Sequence, residues 1–395
     1  MILTKKQEEG LKIAVERHKL GEKYTVISGY AGTGKSTLVK FIIAALDVHP
    51  DKVAYASFTG KAAEVLRKKG NKNSMTMHRL LFESIPKPGG GFFHKPKPRL
   101  EYTIIVVDEI SMVPKKLIDQ LFKYQVYVIC LGDPFQLPPV DKDEDNHLLD
   151  NPHIFLDEIM RQAQDSEIIQ LTMKIREQKP LELFKGNEVQ VLPKASLNTG
   201  MLLWGDQIIT ATNAKRTSIN NQVRTLLGKG PTPEDGDKII CLRNYWEDFN
   251  DAGDPLVNGT VGLLTNSYQD SVRIPAFAAR DSSVKEFDVL YGDFIANDSI
   301  YPMIDIDRHM LLTGEKCCDW RLSYKLGKLR PRIGDIIPKE FAYGYAITAH
   351  KSQGSEWDKV LVIEENFPFV PLEHARWLYT SATRAVQKLV IIRNY

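Results

Sequence analysis

The chain has 395 residues, of which 43% are apolar and 26% charged. This is a globular composition with room for roughly two to three domains of about 100–200 residues each, and it excludes wholesale disorder and fibrous architecture. Against 52 Lys and Arg stand 50 Asp and Glu, a formal charge of +2, so a nucleic-acid partner would have to be met by a local basic surface. The opening Met-Ile-Leu-Thr-Lys-Lys-Gln-Glu-Glu lacks the apolar run of a secretory leader. The longest apolar runs, Ile104–Val107 and Val126–Leu131, are strand-length and too short to span a membrane. Cys130, Cys241, Cys317 and Cys318 form no Cys-x-x-Cys pair, which argues against zinc and a disulfide scaffold and for a reducing, cytoplasmic setting.

The first half alternates short apolar runs with helical patterns. Strands are expected at Tyr24–Ser28, Lys52–Ala56, Thr103–Val107 and Val126–Leu131, with helices at Lys35–Leu46, Gly60–Lys69 and Lys115–Phe122. Fully apolar strands separated by helices predict a parallel sheet covered on both faces. Glu83–Leu100 breaks the rhythm with four prolines and Gly89–Gly91, and is expected to lie outside any element interior. Ile168, Leu171 and Ile175 mark one helical face, and Phe184–Leu197 reads as a connection between lobes. A second α/β unit follows, with strands Gln207–Thr210, Lys359–Ile363 and Lys388–Ile392 and helices Ala214–Leu227 and Leu372–Thr383. Between Gly259 and Pro338 helical periodicity fades, which suggests a small all-β insert.

Gly29-Tyr-Ala-Gly32-Thr33-Gly34-Lys35-Ser36 fits the phosphate-binding pattern G-x-x-x-x-G-K-[ST], and it sits between an expected strand and an expected helix, as that pattern requires. Its glycines admit backbone N–H groups to the phosphates, and the helix N-terminus adds a favourable dipole. Lys35 would reach the β/γ-phosphates of ATP and Ser36 would ligate Mg²⁺. Asp108-Glu109 ends a buried strand, which puts both carboxylates at the sheet edge beside that loop. Asp108 would hold the Mg²⁺ and Glu109 would orient or deprotonate the attacking water. Gln136, in Leu131-Gly-Asp-Pro-Phe-Gln-Leu-Pro-Pro-Val140, is placed to sense the γ-phosphate. Arg161 and Arg384 are candidate arginine fingers.

In this order the segments resemble the motifs of superfamily 1B DNA helicases of the RecD/Dda type, and in compactness the chain is most like the phage members. Thr4–Gln7 resembles the adenine-reading motif, Gly29–Ser36 motif I, Asp108-Glu109 motif II and Gly132–Val140 motif III. Ala346–Glu356 resembles motif V and Tyr379–Ala385 motif VI. The resemblance implies two RecA-like lobes with parallel sheets: residues 1–82 with 101–180, and 181–258 with 339–395. It also implies a strand-separating pin at 83–100 carrying Phe92 and Phe93, and an SH3-like β insertion at 259–338. It adds Gln7, Thr37 and Glu356 to the nucleotide contacts of Gly29, Gly32, Thr33, Gly34, Lys35 and Ser36. Thr59, Lys61, His78, Asn213, Thr348, His350 and Ser352 fall at positions that face DNA. Phe58 stands where the family's motif Ia usually has proline.

The expected activity is 5′→3′ translocation on single-stranded DNA with unwinding at single-strand/duplex junctions, by a monomer that meets single-strand-binding or replication proteins and no membrane. Lys87, Lys95, Lys97 and Arg99 around Phe92-Phe93 suit a wedge, since one stacked base contributes about 1–3 kcal/mol. Three other readings stay open: a P-loop kinase, a DNA-binding loading factor, and an ATPase subunit of a recombination or repair assembly without its own unwinding.

Overall fold

The computed structural model describes residues 3–86, 92–138, 145–160, 164–251, 253, 255–280, 282–296, 298–333 and 336–394. The chain divides into two compact units. The first comprises Met1–Phe82, Pro96–Thr212 and Thr348–Tyr395, and the second Glu83–Lys95 and Asn213–Ile347. No described helix is long and apolar enough to cross a membrane.

The first unit holds two sheets. In chain order its early strands are β1 (Tyr24–Gly29), β2 (Val53–Ser57) and β3 (Ser74–Thr76). After the hairpin β4 (Phe82–Pro86) and β5 (Phe92–Pro96) come β6 (Ile104–Val107), β7 (Tyr127–Gly132) and β8 (Ile154–Leu156). One sheet runs β3-β2-β6-β7-β1-β8, all of its described pairings parallel. Its strands are largely apolar because helices cover both faces: Ile27, Ile104 and Ile129 pack with Leu38 and Ile42 on one side, and Val26, Ile105 and Val128 with Leu80 and Leu117 on the other.

The second sheet of this unit is built from β9 (Phe184–Lys185), β10 (Val189–Pro193), β11 (Gln207–Thr210), β20 (Trp357–Ile363) and β21 (Ala385–Arg393). They stand in the order β11-β20-β21-β10-β9, parallel except for β9. Here the expectations need correcting. Phe184–Leu197 is no mere connection, because Val189 and Val191 are buried strand residues at the centre of this core. The lobe boundary also lies earlier than residue 180. Ile168, Leu171 and Ile175 of the helix Glu167–Arg176 pack with Val189, Leu378 and Tyr379, so that helix belongs to the second sheet.

The proline-rich stretch is likewise a β-hairpin. Pro86 and Pro96 are the last residues of β4 and β5, where the missing N–H costs least. Gly89–Gly91 lie outside the described residues.

The second unit centres on an antiparallel sheet. Its strands are β12 (Lys238–Cys241), β15 (Val261–Arg273), β16 (Glu286–Ala296), β17 (Ser299–Asp307) and β18 (Phe341–Tyr343), in the order β17-β16-β15-β12-β18. The short pair β13 (Tyr245–Phe249) and β14 (Pro255–Leu256) lies between β12 and β15 in the chain, and β19 (Ala346–Thr348) follows β18. The β-rich region therefore starts before residue 259 and ends after 338. It is also not all β: Arg308–Thr313 and Trp320–Ile333 are helices, the latter seated through Leu322 and Leu326 on Phe287 and Val289.

A buried ion pair braces this unit. Arg224 Nε and Nη2 donate to Asp237 Oδ1 (2.9 Å) and Oδ2 (3.1 Å), and Tyr345 adds a third donor to Oδ1 at 3.0 Å. Both charges are out of water, so removing one leaves the other uncompensated. Asp237→Ala is expected to cost about 3–5 kcal/mol, read as a lower urea midpoint; an unchanged midpoint would contradict the brace.

Candidate nucleotide site

The phosphate loop is shaped by steric necessity. Gly34 caps the helix Lys35–Ala45 in the left-handed region at φ 77°, and a Cβ there would fall 2.3 Å from Met160 Sδ and 2.5 Å from Gln7 Nε2. Met160 braces the same loop by donating its N–H to the Gly32 carbonyl at 3.0 Å. Lys35 Nζ lies folded over the loop, donating to the carbonyls of Gly29 (2.7 Å) and Tyr30 (3.0 Å). Thr33 is buried, with its hydroxyl donated to the Tyr30 carbonyl at 2.9 Å. Thr37 is half-buried on the first turn of the helix, beside exposed Ser36.

Gln7 is fully buried and both ends of its amide are engaged. Oε1 accepts from Thr4 N at 3.0 Å, and Nε2 donates to Thr33 O at 3.1 Å. The first bond is half of a capping box with the Thr4 hydroxyl. Gln7 thus ties the start of the first helix to the phosphate loop.

The carboxylates stand where the sheet edge requires. Asp108 is pushed up to about 6, chiefly by burial and next by the adjacent Glu109 charge, with Glu109 N–H and Lys35 opposing. Glu109 N–H donates to Asp108 Oδ1 at 2.9 Å. Glu109 itself holds φ 51°, a costly conformation for a residue with a Cβ, of the kind found at functional sites.

Across from them stands Arg384, on the turn between the helix Pro371–Ala382 and β21. Only 4% exposed, it donates from Nε to Thr380 O (3.0 Å), from Nη1 to Ser355 O (3.3 Å) and from Nη2 to Thr383 Oγ1 (3.0 Å). Its Nη1 is 3.9 Å from Glu109 Oε1. The Gln136 amide joins the two when oriented by its hydrogen bonds, with its nitrogen donating to Glu109 Oε2 (3.2 Å) and its oxygen accepting from Arg384 Nη2 (3.3 Å). A cavity of about 310 Å³ gathers Ser36, Asp108, Glu109, Glu356 and Arg384. Glu356 is held there by Lys69, with Nζ–Oε1 at 2.9 Å. Arg161 lies outside the described residues.

Sequence reasoning passed over the seam that brings these groups together. The Tyr379 hydroxyl accepts from the phosphate-loop Ala31 N–H at 2.9 Å and donates to Asp133 Oδ2 at 2.6 Å. Leu137 N donates to Thr380 Oγ1 at 3.0 Å, and Gln353 Nε2 donates to Leu137 O at 2.8 Å. Burial raises both Asp133 and Tyr379, so the carboxylate depends on its donors. The one available signal was that Asp133 and Tyr379 each lie within the motif segments.

The residues expected to face DNA are dispersed. Thr59 caps the helix Gly60–Lys68 by accepting from Ala62 N. Lys61 lies 3.5 Å from Glu64, and burial lowers its pKa. His78 stands between the rings of Phe58 and Phe82, with centroids at 6.3 and 6.0 Å. Thr348 precedes the short helix Ala349–Ser352, which carries exposed His350. Ser352 is fully buried, its hydroxyl donated to Ala349 O at 2.8 Å, which removes it from any strand-facing surface. Asn213 begins a helix of the second unit. The Phe92 and Phe93 side chains lie outside what the structure describes.

Tyr379→Phe deletes the hydroxyl that links the phosphate loop to Asp133. The expected loss is about 1–3 kcal/mol, because a buried carboxylate forfeits a donor. Urea titration would read it, and a midpoint equal to wild type would refute the seam.

Comparison with known proteins agrees with this arrangement. Residues 3–190 match the AAA domain, and residues 343–392 match the UvrD-like helicase C-terminal domain. The ATP-dependent RecD2 DNA helicase of Deinococcus radiodurans is 27% identical over 97% of this chain and 49% of its own, so the chain spans about half the length of that relative. The ATP-dependent DNA helicase dda of Enterobacteria phage T4 is 32% identical over 36% of this chain and 34% of its own. Among solved structures, Bacteroides Pif1 helicase in complex with ADP-AlF3 and ssDNA superposes over 99% of this chain and 92% of its own, with TM-score 0.51 and 19% identity, a likeness of fold. By these matches the chain is similar to DNA helicases of the RecD and dda kind.

Proposed function

We propose that the protein is a DNA-stimulated ATPase that moves 5′→3′ on single-stranded DNA and unwinds duplex at junctions. The observation that carries this reading is the convergence of Arg384, Gln136 and Glu109 on the cavity beside the phosphate loop. A nucleotide bound there would touch both sheets of the first unit at once. Its hydrolysis could then change how they are held together, as directed motion requires.

ATP would lie with its phosphates on the backbone of Gly32–Ser36 and on Lys35, and with its ribose toward Glu356. Ser36 and Asp108 offer hard oxygen donors on one cavity wall, and the crowding of Asp108 with Glu109 is a charge excess that a divalent cation would relieve. These donors fit Mg²⁺, which when bound would polarise the phosphates. Glu109 would hold the attacking water, Gln136 would fix Glu109 and Arg384 relative to each other, and Arg384 would meet the charge that develops on the transferred phosphoryl group. Arg161, next in sequence to Met160, is assigned the same role.

The hairpin β4–β5 is assigned as the pin, with Phe92 and Phe93 as its stacking residues, and Thr59, Lys61, His78, Asn213, Thr348 and His350 as backbone contacts. The RecD2 and dda names, each a DNA helicase, support DNA as the track. Single-strand-binding or replication proteins are the proposed partners of a monomer.

Lys35→Ala is expected to reduce ATP hydrolysis to background while oligonucleotide binding persists. On forked substrates the wild type should open a duplex with a 5′ tail and leave one with a 3′ tail intact. ATP-driven unwinding by Lys35→Ala would overturn the site assignment, and preference for the 3′ tail would overturn the polarity.

A further inference from the structure

The helix Trp320–Ile333 of the second unit has a composition unlike the rest of this near-neutral chain. Its sequence, WRLSYKLGKLRPRI, holds five Lys and Arg and no acidic residue. Leu322 and Leu326, one turn apart, are buried against Phe287, Val289, Ile274 and Ala278. On the side away from these leucines, again one turn apart, Trp320 is 74% exposed and Tyr324 61%. Arg321 and Lys325 follow each ring by one residue, and the Arg321 guanidinium lies 5.5 Å from the Trp320 ring centroid. The short helix Ala276–Ala279 packs alongside and presents Phe277, 62% exposed.

Large aromatic faces held this far into water, with cations at the same helical spacing, are what stacking on unpaired bases and neutralising their phosphates require. A duplex offers phosphates to the cations but no base faces to the rings. A basic helix with aromatic residues could also lie on a membrane. Here, however, the apolar face that would enter the lipid is already spent on the unit's own core.

We propose that Trp320, Tyr324, Arg321 and Lys325 form a second contact for single-stranded nucleic acid, one that grips any sequence by stacking and charge. The proposal rests on the DNA-dependent reading above and adds to it a hold on the β-rich unit, separate from the motif positions.

The test uses the full chain and fluorescein-labelled oligo-dT, read by anisotropy. Trp320→Ala/Tyr324→Ala is expected to weaken binding about tenfold, and Trp320→Phe/Tyr324→Phe to retain most of it, since the phenyl ring still stacks. Arg321→Ser/Lys325→Ser should flatten the dependence of log affinity on log salt by about one unit. ATP turnover at saturating oligo-dT should stay at the wild-type value in each variant, with more oligo-dT needed to reach it. Equal affinity of the alanine variant and wild type, with wild type binding and stimulated, overturns this contact and leaves the ATPase reading intact. A wild type that neither binds nor responds to oligo-dT overturns both. Loss confined to blunt duplex, or to phosphatidylserine-containing vesicles, overturns the single-strand assignment.

Discussion

A buried guanidinium is expensive unless its donors are met, and the first unit is organised around meeting those of Arg384. Three acceptors beside its own sheet hold it, and the charged Glu109 comes from the other. Each sheet has a core of its own, but Leu137, with Ala31 and Phe135 beside it, reaches from the loops of the first sheet into the core of the second. Beside these apolar contacts runs a set of polar ones, in which Tyr379, Thr380 and Gln353 reach Ala31, Asp133 and Leu137. A polar seam can be remade at small net cost, because each hydrogen bond exchanges for one with water. In the proposed mechanism, these exchangeable polar contacts are what a bound triphosphate would act on.

Left-handed backbone also occurs at this place. Glu109 occupies the left-handed region, and Gly34 and Gly354 do so where no side chain would fit. A Cβ on Gly354 would lie 2.8 Å from Ala62 Cβ and 3.1 Å from Thr59 Oγ1. The loop after β19 therefore rests directly on the start of the helix Gly60–Lys68. Thr59 consequently serves as both helix cap and wall of that contact, and its hydroxyl is less available to a strand than its motif position suggests.

Much of this was legible in the sequence. Parallel strands buried on both faces read as near-continuous apolar runs, so β1, β6, β7, β11 and β20 were readable to within a residue or two, as was the phosphate loop between a strand and a helix. The lobe boundary was not, because an amphipathic helix such as Glu167–Arg176 announces that it buries a face but not which sheet receives it. The hairpin was hidden by prolines that turn out to end strands. The helix Trp320–Ile333 was hidden by its basic composition, with five Lys and Arg in fourteen positions. The seam was invisible because Tyr379, Thr380 and Gln353 act across more than two hundred positions of chain. Arg384 could be singled out from its motif, but only the fold gives it Glu109 as a neighbour.

In the proposed mechanism, Arg384 meets charge that exists only as the phosphoryl group transfers. Calorimetric titration of wild type and Arg384→Ala with ADP, and with ADP plus aluminium fluoride, tests it most directly. Wild type should hold the transition-state mimic far more tightly than ADP. The variant should lose most of that preference, up to about 10³–10⁵-fold, while its ADP affinity stays near the wild-type value. Equal preference for the mimic in both proteins would contradict the account.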